Sequence, residues 1–130
     1  MSTENRLLRL AQDLEWLGCE LEFHGHKHAL EGFPESGPTW ETFREKQRGV
    51  LLTCDKIEHE LESAIRYNPA SLVGMDFPLA ATLDTITDLL AKVEDIKQAA
   101  VFQVHLLPDM VRAFTRLIEQ YLASIGALAR

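Results

Sequence analysis

The 130 residues suffice for one ordinary domain, whose single core hides about two-thirds of the surface an unfolded chain exposes. Hydrophobic residues at 46% and charged residues at 25% suit a globular chain in water, and no apolar run reaches the roughly 18 residues of a membrane span. Thirteen basic against twenty acidic residues leave a net charge of −7, which repels a nucleic-acid backbone, so neither nucleic acid nor membrane is an expected partner.

The first predicted helix, roughly 3–30, follows from Leu7, Leu10, Leu14, Leu17 and Leu21, which recur at alternating three- and four-residue steps. Ser2 or Thr3 caps it with Glu4 near the positive end, and "EGFP" supplies the Gly and Pro that stop it. No basic region followed by an unbroken apolar core opens the chain, so no secretory signal is expected and the location is expected to be cytoplasmic. A reducing compartment leaves the two cysteines, Cys19 and Cys54, as small buried apolar side chains, a disulfide between neighbouring helices being the alternative.

The stretch "HGHKH" holds three of the five histidines. Continuing the leucine steps reaches His24 and His28, and Glu20 precedes them by one turn, so Glu20, His24 and His28 could line up three ligand atoms for a divalent metal such as Zn. Against this, Gly25 weakens the helix in the very turn that would hold the ligands, and the Glu-x-x-His pairs of di-metal bundles are missing. A last helical turn also has an ordinary use for histidine and lysine, which place cationic donors against its unpaired carbonyls. The helix-end reading is preferred, with metal binding the alternative.

A second helix, roughly 39–66, is drawn by Trp40, Phe43, Gln47, Val50, Cys54, Ile57, Leu61 and Ala64, with Thr39 or the Gly37-Pro38 pair at its entry. Cys54 lies on that stripe and reads as inert core. The loop "RYNPASLVGMDFP" leads to a third helix, roughly 78–106, along Leu79, Leu83, Ile86, Leu90, Val93, Ala100 and Val104, with Ile96 and Lys97 sharing one step. Pro108 either kinks this helix or opens the next, and the adjacent Asp109 favours a fresh start. The fourth helix, roughly 108–129, carries Val111, Phe114, Ile118, Tyr121, Ile125 and Leu128.

No two-residue alternation supports a sheet. The expected fold is therefore all-α, a single domain over 1–130 built as an antiparallel four-helix bundle, the alternative being kinked long helices that pair in a dimeric bundle.

Catalytic signatures are weak. Glycines form neither GxGxxG nor a P-loop. The acid pairs Glu58/Glu62 and Asp84/Asp88, one turn apart, read as solvated faces rather than Mg²⁺ ligands, and Asp55/His59 and His105/Asp109 have the same spacing. Large side chains outside the stripes are more informative: Trp16 beside the first, Phe33 and Phe77 in connections, and Met110 broadening the fourth, all candidate interaction residues. The expected function is a small acidic protein-interaction module, an adaptor, chaperone-like or regulatory protein, that binds another protein, forms homo-oligomers and needs no cofactor. The alternative is a metal-binding bundle, a metal-dependent hydrolase using His24 and His28 with Glu20.

Overall fold

A computed structural model describes the backbone of residues 3–67 and 79–124 and the side chains of 6–65 and 83–124. Helix α1 spans Thr3–Leu30, α2 Pro38–Tyr67, α3 Leu79–Phe102 and α4 Leu107–Ser124, with a 3-10 turn, Val104–Leu106, ahead of α4. Each helix packs on its sequence neighbours, and α4 returns to α1, which closes a ring of four. Neighbours run antiparallel: Arg6 near the start of α1 meets Glu60 late in α2, and Gln47 early in α2 meets Ala100 late in α3. Thr115 of α4 reaches back to Ala11 of α1. The all-α antiparallel bundle is the fold.

The centre of the ring is apolar: Leu14, Leu21, Val50, Ile57, Leu61, Ile86, Val93, Val111, Phe114 and Ile118 are fully buried. Each such side chain contributes about 1.5–3 kcal/mol through removal from water. On α1 the buried seam differs from the leucine stripe. It runs Leu7, Ala11, Leu14, Gly18, Leu21, with Leu10 and Leu17 only partly buried beside it. Small residues are needed there because α4 comes close; a Cβ on Gly18 would already touch Leu107 and Val111 at 3.6–3.7 Å.

Helix ends follow their local chemistry. Gly32 (φ 83°) and Phe33 (φ 55°) turn left-handed after α1. Phe33 N–H donates to His28 O and Gly32 N–H to Ala29 O, both at 3.0 Å, the paired bonds of a Schellman close. At the entry to α2, Gly37 (φ 97°) accepts from Glu41 N–H at 3.0 Å, so the Gly-Pro pair, rather than Thr39, starts that helix. Between α3 and α4 the chain breaks at Gln103 (φ −143°, ψ 55°), a few residues earlier than the stripe suggested, and there is no kinked continuous helix. Proline explains the break. Within one long helix, Pro108 would remove a hydrogen bond and press its ring on the carbonyl of Val104; in the first turn of α4 its missing N–H costs nothing. Buried Gln47 then donates to Ala100 O at 3.0 Å, satisfying a carbonyl in the last turn of α3.

Among the described residues no helix is long and apolar enough to cross a membrane.

Candidate functional site

The histidine cluster is where α1 ends, and its three rings have different surroundings. His28 is buried, 6% exposed, and lies in a box of rings: parallel to Phe43 at 5.2 Å and 9°, tilted against Trp40 at 5.2 Å, and edge-on to Phe33 at 5.6 Å. Its Nε2 is 2.6 Å from the carbonyl of Pro34. A carbonyl can only accept, so Nε2 carries hydrogen and donates. His24 is half-buried, with Nε2 3.9 Å from Glu20 Oε2, and His26 is exposed. Gly25 has a packing reason absent from the sequence reading, since a Cβ there would meet Phe43 at 3.2 Å and Val104 at 3.4 Å.

Glu20, His24 and His28 are thus not gathered at one point. The imidazole of His28 is walled in by Phe33, Trp40 and Phe43, and among the described residues no three His, Cys, Asp or Glu side chains group to hold an ion.

Across α2 and α3, Lys97 reaches Asp55 at 2.8 Å and also Glu58. Hydrogen bonds to Asp55 and Glu58 hold the Lys97 ammonium above its ordinary value, against some desolvation. Glu58 is therefore engaged in an ion pair and is not a free metal ligand. Beneath lies Cys54, fully buried, its thiol pushed up to about 12 by burial, with the neighbouring carboxylates adding to the rise and Lys97 opposing it. Cys19 is exposed. Dilute native protein should therefore react with Ellman's reagent at one thiol per chain at neutral pH, and at the second only after denaturant is added. Two fast thiols would mean that the α2 seam opens.

An open groove of about 490 Å³ between α1 and α2 is lined by Arg6, Leu10, Asp55, Lys56, His59 and Glu60. Its charges cancel, Arg6 pairing Glu60 at 3.1 Å, so it favours ligands of neither sign.

Of the four candidate interaction residues, Phe77 lies outside the described residues. Met110 is half-buried and packs on the core, and Phe33 is exposed beside the α1 close. Trp16 is 60% exposed, with Lys46 of α2 over one side of its ring at 5.6 Å. It has company that the sequence reading missed: Phe23 is 57% exposed and Leu30 75%. Seven residues fall about 20° short of two helical turns, so Trp16, Phe23 and Leu30 form one line. Each stands two positions, about 200° around the helix, from a buried residue, Leu14, Leu21 and His28 respectively. The line therefore runs down the side of α1 that faces away from the core. Exposed Cys19 and His26 fall between them at three- and four-residue steps, completing a second heptad pattern on a helix whose first is already buried. The signal was available as a repeat of seven, but the leucine stripe dominated it.

No family model matches the chain, and no curated protein or solved structure is significantly similar to it.

Proposed function

We propose that this chain is a protein-interaction module, an adaptor or regulatory bundle working in the cytoplasm, and that the outer face of α1 is its docking surface. One observation carries the reading: Trp16, Phe23 and Leu30, three large apolar side chains, are more than half exposed along one line of a helix that is fully satisfied on its other side. Exposing them costs solvation free energy that a partner recovers, and aromatic anchors dominate the energetics of such contacts. The partner is a protein, a second copy of this chain or a different one; the net charge of −7 speaks against nucleic acid. No cofactor and no catalytic group is assigned.

A photo-crosslinking amino acid placed at position 23 in the full chain, expressed in cells, tests it against the same label at exposed Glu45 on α2. Discrete crosslinked species should appear at position 23 alone and vanish when Trp16 and Leu30 are both changed to Glu. Because these side chains face solvent, the double variant should unfold within about 0.5 kcal/mol of the parent. Equal crosslinking at both positions, or none at either, sinks the reading.

A further inference from the structure

We infer that the occupant of the α1 face is a second copy of this chain, docked antiparallel with Phe23 on the two-fold axis. The inference rests on the docking reading above and names its partner.

A two-fold dimer places like surface on like surface, so the face must be complementary to itself. With the axis through Phe23, residues equally far before and after it meet across the interface. Trp16, seven before, meets Leu30 of the second copy, seven after, and Phe23 meets Phe23. Both contacts are apolar on apolar. By symmetry the Trp–Leu contact occurs twice, so all the large exposed apolar side chains of the line are used and none is set against a charged residue of the second copy.

The charged flank agrees with that register. Measured around the helix at about 100° per residue, Glu20 and Lys27 lie on the same side of the Phe23 line, about 60° and 40° from it. In an antiparallel pair under this symmetry, residues on the same flank oppose each other. Glu20, three before Phe23, therefore faces Lys27 of the second copy, four after, and the reciprocal pair forms as well. On the other flank Cys19 faces His26, a small thiol against a ring. A parallel pairing in register would instead bring opposite flanks together, Glu20 against Cys19 and Lys27 against His26 of the second copy, and would form neither ion pair. Charge thus selects the antiparallel arrangement independently of the apolar match. The line from Trp16 to Leu30 is about 21 Å long and one helix wide, which puts the complex among small, reversible interfaces.

Sedimentation velocity of the full chain from about 1 to 200 μM, with Phe23→Glu alongside, gives the first readout. A concentration-dependent monomer–dimer shift that Phe23→Glu abolishes is expected. Register is read by charge exchange: Glu20→Lys and Lys27→Glu should each weaken dimerisation at least tenfold, and the double exchange should restore it to within about threefold. In a Cys19→Ser background, Phe23→Cys should give a disulfide-linked dimer under copper-phenanthroline oxidation, whereas Glu45→Cys should not. A wild type that stays monomeric over the whole range overturns the inference. If the photo-crosslink at position 23 then still captures a different protein, the docking reading survives without it; if it captures nothing, both fail. A dimer broken by Phe23→Glu but unrestored by the double exchange, with no disulfide formed by the Phe23→Cys variant, overturns the two-fold register.

Discussion

His28→Ala is expected to lower folding stability by about 2–4 kcal/mol, while His26→Ala changes it by less than about 0.5 kcal/mol. The two histidines are two residues apart in one helical turn, yet only His28 is enclosed. Removing its ring empties a box walled by Phe33, Trp40 and Phe43 and leaves the Pro34 carbonyl without its donor, so a cavity cost and the loss of a hydrogen bond act together. His28→Phe separates them. It keeps the stacking on Phe43 and forfeits only the bond, and its expected cost is the smaller share, about 1–2 kcal/mol. Urea unfolding of the three variants measures this, with a fall in Tm of the order of 10 °C for His28→Ala. A metal-ligand role predicts a different pattern: zinc would stabilise the wild type, and His24→Ala and His28→Ala would abolish that gain equally. Such a result would remove the structural account of His28.

How far the sequence led can be judged at these same residues. The four periodic stripes identify four helices because burial of one face is what keeps a helix folded, and the period of that burial is visible in leucine, isoleucine and valine. Ala11 and Gly18 are buried on the same side of α1 as Leu14, and Gly25 continues that side against Phe43, but small residues carry no hydrophobic signal, so the leucine period alone runs one residue to the side, through Leu10 and Leu17. That displacement put His24 and His28 on one line as a ligand pair. In the folded chain Gly25 packs under Phe43, His28 turns to Pro34, and His24 stays at the edge. The destination of His28 was not readable, because it depends on a loop carbonyl six residues on and on two rings from another helix. The break at Gln103 is similar: no glycine or proline marks it, and its cause, Pro108, stands five residues downstream. The outer line of Trp16, Phe23 and Leu30 was readable in principle. Its three residues stand a full seven apart, and the five more closely spaced leucines of the other stripe outweigh them.

Between pH 9 and 12 the chain is expected to lose stability at about 1.4 kcal/mol per pH unit on account of Cys54, up to about 4 kcal/mol in all. Burial against Val50, Ile57 and their neighbours favours the uncharged thiol, so the folded chain holds that proton until about pH 12, while an unfolded chain releases it near the ordinary value of 9.0. Below pH 9 both states are protonated and the thiol contributes no slope. Above it the unfolded state binds fewer protons than the folded one, which is the condition for stability to fall as pH rises. Lys97 acts in the same direction but later. Its carboxylate partners hold its charge above the ordinary 10.5, so the Asp55–Lys97–Glu58 contribution is intact below that pH and drains away above it. Cys54→Ala isolates the thiol. At pH 7 the variant should be less stable by about 1 kcal/mol, because a small cavity replaces the sulfur. It lacks the ionisable group, however, so its stability declines less steeply from pH 9 upward, and the two curves should cross near pH 10. Urea unfolding at pH 7, 9, 10 and 11 follows both proteins through the crossing. Parallel curves would mean that Cys54 ionises as readily in the bundle as out of it, and that the α2–α3 seam admits water where the packing closes it.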